Sequence, residues 1–514
     1  MAWLHTWAGL VIGAPLFAVF WMGTLCVFDR EIDRWMMPST RLAAAEAPAG
    51  LDAIAAAASS VVGHGAAHWR AWLPTPRVPV VKLAYQDADG RSVSRHIEPA
   101  TSALLPDVGS WGGTGFFFPF HYSLHVSWMR LGYWLVGLLG MAMLVLLVSG
   151  VVIHRKIFVD FFTFRPGRQL PRSSLDLHNL TSIVALPFHF VMTLSGLIIF
   201  FSVLFPGVVS IVYQGQSDRF SKEAYGGFPR AAAGVEGRLA SLDAMAAEAS
   251  RLWQGGRPYF VRVWHPGDAN SVVEMRRSFA DTVTMTLDTV YFDGPSGAVL
   301  HSHTAKPVLS VQRFISGLHF IQFEHWALRW LYFGLGLCGC VMIATGFVFW
   351  LATRRRAHGA EGRAGVRLVE GLTVGSVAGI LIATLAFFVA NRLLPHGATF
   401  LDYERYALEI WAFVLAWLAS FAHAWLRPPY AWAEQCWTIA SLAVLAVILN
   451  ALTTGDHLVR TLSEGQWAVA GMDLTLASAA VAAALSARRL RRREDRTGHA
   501  SGPGPTQSTR QAHV

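Results

Sequence analysis

The stretch that decides the fold is SGVVIHRKIFVDFFTFRPGRQLPRSSLDLHNLTSIVALPFHFVMTLSG, which runs from Ser149 to Gly196. It joins the end of one apolar run to the start of another through a basic loop, and it contains His154, His178 and His189. An ionisable side chain at membrane depth is costly and marks a functional site by default. Three histidines around one hairpin therefore indicate cofactor ligands in a bundle of membrane helices.

The whole chain has the composition of a multi-span membrane protein. Of its 514 residues, 53% are hydrophobic and only 15% are charged, which is too apolar for an ordinary soluble domain. The formal net charge of +9 lies largely in short loops between apolar runs. This distribution favours a membrane-lipid environment and argues against a nucleic-acid partner. The four cysteines all lie in apolar runs and form neither a disulfide framework nor a CxxC site.

Eight apolar runs approach the length of about 20 residues that a helix needs to cross the bilayer. They lie near residues 7–27, 131–153, 179–205, 327–351, 368–390, 406–426, 432–452 and 467–487. The loops after spans two and four, and the tail after span eight, are rich in arginine. The positive-inside rule places all three, and both termini, in the cytoplasm of a cell with a bacterial-type inner membrane.

Two long hydrophilic segments then fall outside, in the periplasm, and each predicts a small α+β module. Helices are predicted over 51–62 and 238–253. Alternating patterns predict strands in AHWRAWL, VVKLAYQ and RSVSRHIE of the first segment and in YFVRVW, SVVEMRR and TVTMTLDTVYF of the second. The spans repeat as well, because LHTWAGL at 4–10 is similar to LHNLTSI at 177–183. The core is therefore predicted to be a duplicated unit of span, outside module and span.

These patterns predict the following domains. They are span one at 1–27, the first module at 28–125, spans two and three with their basic loop at 126–205, the second module at 206–320, span four at 321–353, a cytoplasmic loop at 354–367, four further spans at 368–487, and a basic, disordered tail at 488–514.

The arrangement resembles the PepSY-associated transmembrane helix family, and within it the di-haem inner-membrane ferric-siderophore reductases. The motifs that carry the resemblance are LHTWAGL with FDREIDRWM, LHVSW, SGVVIHRKIFVDFFTFRP, DLHNLTSIVALPFHF, and LHF with LRWLYFGLG and ATGFVFW. The resemblance covers about residues 1–355. It implies a mainly α membrane protein with a duplicated helix–PepSY–helix core, in which a four-helix bundle binds haem below two periplasmic α+β modules. The four C-terminal helices are an addition to that pattern, and their role is unassigned.

The resemblance also implies a function. Two haem b groups would pass electrons from the cytoplasmic side to a periplasmic ferric siderophore or other ferric chelate and so release Fe(II). The chain has no GxGxxG motif, P-loop or HExxH motif. The electrons are therefore expected from a separate cytoplasmic donor or from a membrane quinol.

The histidines sort by depth into an outer pair and an inner group. His125 and His319 occupy matching places at the external starts of spans two and four, and they are predicted to bind the outer haem. His121 and His325 are expected to be neighbours of these ligands. Two members of the inner group should bind the inner haem, and the sequence leaves open which two. The inner group consists of His5, His154, His178 and His189.

Three other functions remain open at this level. The first is a haem relay to another acceptor, such as cupric ion or a periplasmic redox protein. The second is a non-enzymatic PepSY sensor or protease-regulating protein whose histidines are structural. The third is a transporter. No CxxCH motif is present, so covalent attachment of haem is excluded.

Overall fold

The computed structural model describes residues 1–43, 50–63, 65–87, 89–154, 165, 169–358 and 364–500. The basic segments on which the orientation was argued lie partly outside these ranges, namely Arg155, Lys156 and Arg168 after span two, Arg363 after span four, and the tail beyond Ala500. The chain divides into two units. Unit 1 comprises Met1–Arg168 and Leu175–Thr345, and unit 2 comprises Gln169–Ser174 and Gly346–Val514.

Thirteen helices of the described residues belong wholly or largely to unit 1 or connect it to unit 2. They are α1 Ala2–Cys26, α2 Asp29–Met36, α3 Leu51–Ser59, α4 Gly112–Ser123, α5 Leu131–Ile153, α6 Leu170–Val184, α7 Leu186–Ile199, α8 Phe201–Leu204, α9 Pro206–Val212, α10 Ser217–Tyr225, α11 Leu242–Leu252, α12 Pro307–Phe320 and α13 Trp326–His358. Unit 2 continues with α14 Ala364–Leu393, α15 Arg405–Leu426, α16 Ala431–Thr454, α17 Leu458–Ser463 and α18 Trp467–Ala500.

The prediction of a multi-pass membrane protein is confirmed. Among the described residues, seven helices are long and apolar enough to cross a membrane, and the bent pair α6 and α7 brings the number to as many as eight. The seven are α1, α5 with the turn before it, α13, α14, α15, α16 and α18. Helix α18 continues to Ala500, so the first part of the tail predicted to be disordered is helical.

The third predicted span, 179–205, is not one continuous helix. Helices α6 and α7 meet at Ala185 with a bend of 64°. Pro187 lies in the first turn of α7, where its missing N–H costs no intrahelical hydrogen bond. The second helix ends at Ile199, and the short helices α8 and α9 follow it. The break places a histidine, His189, in the first turns of a new helix.

The strands of the two predicted modules join in one antiparallel sheet. Its strands are β1 His68–Trp72, β2 Val81–Gln86, β3 Ser92–Ile97, β4 Pro258–Trp264, β5 Val272–Arg277, β6 Thr289–Asp293 and β7 Val299–His303, in the spatial order β3-β2-β1-β4-β5-β6-β7. Strands β1 and β4 pair in the middle, with Arg70 opposite Arg262. A further hairpin, β8 Thr399–Phe400 and β9 Tyr403–Glu404, lies in unit 2.

The second module differs in two places from its predicted strands. Strand β6 is shorter than the alternating run TVTMTLDTVYF, because the segment before it leaves the sheet and reaches α12, where Arg313 Nε donates to the carbonyl of Met285 over 2.8 Å. Strand β7 was not predicted, since its sequence, VLHSH, is short and has only one β-branched residue.

Helices α3 and α11 cover one face of the sheet and cap each other. The Asp243 carboxylate accepts hydrogen bonds from the backbone N–H groups of Leu51 (2.7 Å) and Asp52 (3.2 Å). In return, the Asp52 carboxylate accepts from the N–H of Leu242 (2.5 Å) and the hydroxyl of Ser241 (2.7 Å). Each carboxylate thus satisfies free N–H groups at the other helix's N-terminus. Beneath them lies a core that includes Trp69, Leu83, Val263, Met275 and Phe292.

Unit 2 has a polar network buried among apolar helices. Asn391 of α14 donates to Glu409 of α15 over 2.9 Å, and Arg405 forms an ion pair with Glu409 at 3.4 Å. On the other pair of helices, Asn450 of α16 donates to Asp473 of α18 at 3.2 Å. These polar contacts link α14 to α15 and α16 to α18 within the unit.

Candidate functional site

Two histidines that close helices lie face to face in unit 1. His121 is in the last turn of α4 and His319 is in the last turn of α12. Both helices end at a left-handed residue, Leu124 with φ 52° and Ile321 with φ 53°. The two imidazole rings are 6.0 Å apart, centre to centre, with an interplanar angle of 34°.

Each ring of this pair is held through its Nδ1 atom. His121 Nδ1 lies 2.8 Å from the carbonyl oxygen of Val19. His319 Nδ1 lies 3.0 Å from the carbonyl oxygen of Met192 and 3.0 Å from Ser195 Oγ. Because a carbonyl can only accept, Nδ1 of each ring carries the hydrogen, and Nε2 keeps its lone pair. Burial lowers the pKa of both imidazoles, that of His319 to about 3 with a further contribution from the neighbouring His121, so both rings are neutral.

A second pair of histidines lies on α1 and α6. His5 of α1 and His178 of α6 have ring centres 6.4 Å apart, with the rings nearly perpendicular at 85°. His178 Nδ1 is 2.7 Å from the carbonyl oxygen of Met342. His5 Nδ1 is 3.0 Å from Ser149 Oγ, and this hydroxyl donates its own hydrogen to the carbonyl of Leu146. Nδ1 is again the protonated nitrogen in both rings.

The ring spacing in both pairs matches that of two imidazoles bound to one metal ion from opposite sides. A metal–nitrogen bond of about 2 Å on each side, with about 1.1 Å from each nitrogen to its ring centre, gives a centre-to-centre distance of roughly 6 Å. Histidines that bind metals usually donate their other ring N–H to a carbonyl or similar acceptor, which fixes the tautomer. All four rings have this arrangement, so the two pairs are residues that could hold two haem groups.

A cavity of about 360 Å³ lies at the His121 and His319 pair. Its size is that of a small-molecule or cofactor site, and its wall is largely apolar. Helices α1, α4, α5, α7, α12 and α13 contribute to it, and its large side chains include Phe20, Phe118, Leu139, Met143, Phe188, Met192, Phe200 and Tyr332.

Two glycines leave room for the rings of this pair. A Cβ atom on Gly23 would lie 2.7 Å from Cε1 of His121, and a Cβ atom on Gly196 would lie 3.0 Å from Cε1 of His319. Helix α1 and helix α7 can therefore approach the imidazoles only where they have no side chain.

The other predicted ligands lie elsewhere in unit 1. His125, expected beside His319, instead has φ 56° and packs its ring 5.0 Å from that of Phe116. His154 ends α5, and its buried Nε2 has no hydrogen-bond partner among the described residues. His189 is fully buried, and its Nε2 lies 3.2 Å from the carbonyl oxygen of Leu335. This contact occupies the nitrogen that is free in the paired rings.

The sequence did not predict the close approach of His121 to His319, since it favoured His121 only as a neighbour of the ligands. The LH dipeptides at 124–125 and 318–319 favoured His125 as the equivalent of His319. A better guide is the tryptophan that follows: Trp128 and Trp326 each lie seven residues after His121 and His319. A second signal is the Ser-Gly dipeptide at 149–150 and 195–196, whose serine contacts one histidine of each pair.

His301 and His303 lie two residues apart on β7. Across the described ranges, no group of three or more His, Cys, Asp or Glu side chains is arranged to hold a metal ion.

Comparison with known proteins agrees with the fold. The family model described as the PepSY-associated TM region matches residues 2–353. An uncharacterized protein of Pseudomonas aeruginosa is 30% identical over 377 residues, which is 69% of this chain and 89% of that protein. Both histidine pairs lie inside the matched region.

Proposed function

The chain belongs to the family of PepSY-associated transmembrane proteins, and from this premise we propose that it is an oxidoreductase of the di-haem ferric-chelate reductase type. It would carry haem b at two sites, accept electrons on the cytoplasmic side from a donor protein or a quinol, and reduce a ferric siderophore or other ferric chelate in the periplasm. Fe(II) is then released for uptake.

The proposal rests on two pairs of imidazole rings that have nearly the same spacing. His5 with His178, and His121 with His319, have ring spacings of 6.4 and 6.0 Å. All four rings carry the hydrogen on Nδ1, which leaves each Nε2 available to bind a metal ion. A purely structural role gives no reason for this match, whereas the binding of two haem irons would use all four Nε2 atoms.

The protein itself positions the histidine rings and surrounds their site with apolar side chains. When bound, haem iron supplies one-electron chemistry. The carbonyls of Val19, Met192 and Met342, with the hydroxyls of Ser149 and Ser195, fix the tautomer and the orientation of the rings. The largely apolar wall around His121 and His319 limits the access of water to the site.

The test is an absorption spectrum of the protein purified from haem-replete cells, oxidised and then reduced with dithionite. We expect a Soret band, sharp α and β bands of b-type haem on reduction, and about two haems per chain. Substituting His178 by alanine should remove about half of the haem. As a control, alanine at His457, which caps α17 in unit 2, should leave the haem content unchanged. A colourless preparation would refute the proposal.

A further inference from the structure

The face of the sheet turned away from α3 and α11 is both cationic and aromatic. We call its centre the seam face, because it lies on the two strands that join the modules. It consists of His68, Arg70 and Trp72 on β1 and of Phe260, Arg262 and Trp264 on β4, paired as His68 with Trp264, Arg70 with Arg262 and Trp72 with Phe260.

The charges of the seam face do not balance. Arg70 and Arg262 lie directly opposite each other, and like charges in such a cross-strand pair destabilise a sheet. Arg276 of β5 adds a third guanidinium. The nearby carboxylate is that of buried Glu274, which pairs with Arg276 at 2.6 Å and with Arg262 at 3.4 Å. Arg70 has no ion pair among the residues that the structure describes, and Nε of Arg262 is buried there without a partner.

Flat rings alternate with the guanidiniums. Arg70 lies 5.3 Å from the ring centre of Trp72, and Arg262 lies 4.9 Å from that of Trp264. The rings of Trp72 and Phe260 are 5.4 Å apart, and Arg276 lies 4.8 Å from the Phe260 ring. Such a surface offers stacking to planar rings and charge-assisted hydrogen bonds to anionic oxygens.

Hydrogen bonds and an ion pair link the sheet, through its connecting segments, to helices beside the cavity at His121 and His319. The segment after β5 contacts α12, the helix of His319, through the Arg313 hydrogen bond to Met285. The backbone N–H of Glu324, just after α12, also donates to the carbonyl of Ala280 over 3.3 Å. On the other side, Arg77 from the β1–β2 connection pairs with Glu31 of α2, and Asp29 at the start of α2 lines the cavity.

We propose that the seam face binds an anionic ferric chelate whose iron ligands are aromatic oxygens, as in catecholate and phenolate chelates. The inference rests on the proposed reductase function and specifies its substrate class. The guanidinium groups of Arg70, Arg262 and Arg276 attract the negative charge of such a chelate. Trp72 and Trp264 supply the ring faces on which its aryl groups stack, and buried Phe260 packs against Trp72. A neutral hydroxamate chelate uses neither property.

The test measures binding without reduction. The full-length protein in detergent is titrated calorimetrically with the gallium(III) complex of a hexadentate tricatecholate chelator, which is trianionic and cannot be reduced as iron can. We expect Arg70→Gln to weaken binding about tenfold, as the loss of one charge-assisted contact predicts. Arg91→Gln, on an exposed arginine of the β2–β3 turn, is the matched control and should bind like the unmodified protein. The gallium complex of a trihydroxamate should bind more weakly than the tricatecholate complex.

Arg276→Gln gives a second measurement on a side chain that is 39% exposed, so the test does not depend on one variant folding. Equal affinity of the unmodified protein and of both arginine variants for the tricatecholate complex would overturn the inference. So would equal affinity of the unmodified protein for the two gallium complexes. These results are independent of haem: a colourless protein that binds the tricatecholate complex through Arg70 would overturn the reductase proposal and keep the binding face.

Discussion

At the scale of single residues, the structure distinguishes two histidines that are four positions apart. His121 faces His319, whereas His125 packs against Phe116. We therefore predict that His121→Ala removes about half of the bound haem, because a bis-histidine site needs both imidazoles. His125→Ala is the matched comparison and should keep the haem content of the unmodified protein. The reverse result, measured by haem quantitation and the reduced spectrum, would restore the assignment of His125 to the outer site.

A second prediction concerns the buried carboxyl of Asp33 in α2. Burial raises its pKa to about 6, although the Arg30 guanidinium opposes the shift. The folded protein thus holds this proton more tightly than the unfolded chain, whose carboxyl has a pKa near 4. Stability therefore falls as the pH rises from about 4 to about 6, and the full cost remains above pH 6.

Asp33→Asn should consequently raise the thermal midpoint at pH 7.5 and have little effect at pH 4. Its amide oxygen can still accept the hydrogen bond from the N–H of Thr114, which Asp33 accepts at 2.8 Å. Asp107→Asn changes an exposed carboxyl of the same segment between α1 and α5 and serves as the control. A midpoint difference between Asp33→Asn and the unmodified protein that is the same at both pH values would show that the proton has no part in it.

At the scale of elements, the approach of helix α1 to the His121 ring depends on a missing side chain. Gly23→Ala would put a Cβ atom 2.7 Å from His121 Cε1, so the ring must turn or the helices must part. We expect a shifted outer-haem spectrum or partial loss of that haem. Gly9→Ala on the same helix meets nothing within 4 Å, and it should leave the spectrum unchanged while favouring the helix slightly. Identical spectra for both variants would mean that the ring does not occupy this place.

Local patterns were sufficient for most elements and insufficient for their pairing. Apolar length identified the membrane helices, and alternation identified six of the seven strands of the large sheet, since both signals lie within a few turns or pleats of the chain. Pro187 is a local signal for the bend at Ala185. The joining of β1 to β4 was not predicted, because a cross-strand partner far away in sequence leaves no local trace.

The same difference between local patterns and long-range contacts explains which histidines of the candidate site could be predicted. His5, His178 and His319 stood out as polar groups in or beside apolar runs. His121 did not, because its role depends on a contact with α12 that only the folded chain creates. His154 and His189 remain predictions as ligands, although His189 Nε2 already contacts the carbonyl of Leu335.

At the scale of the whole molecule, the shared sheet constrains the topology. Strands β1 and β4 pair with each other, so the segments that contain them must lie on the same side of the membrane. The chain between them must then cross the membrane an even number of times, which α5 and the bent pair α6–α7 satisfy if the pair is one span. Reporter fusions at Asp87 and Ser296 should therefore give the same result, and we expect both to be active only with a periplasmic reporter. Opposite results at the two sites would contradict the pairing.

The two units also lead to a prediction at this scale. All four paired histidines belong to unit 1. A chain that ends after His358 should therefore retain both haems and the spectrum of the full-length protein. Loss of haem from a truncated chain that still shows helical circular dichroism would assign a haem-binding role to α14–α18.

The pairing of β1 with β4 also has a consequence for biogenesis. The partner of His68 is Trp264, 196 residues further along the chain. While the ribosome makes the intervening segment and its helices enter the bilayer, β1 has a free edge that exposes unpaired backbone groups, and such an edge is a template for aggregation. Contacts between residues so far apart in sequence also form slowly. The nascent protein therefore passes through a stage in which β1 has been made but β4 has not. A chaperone in the compartment of the sheet would act at that stage.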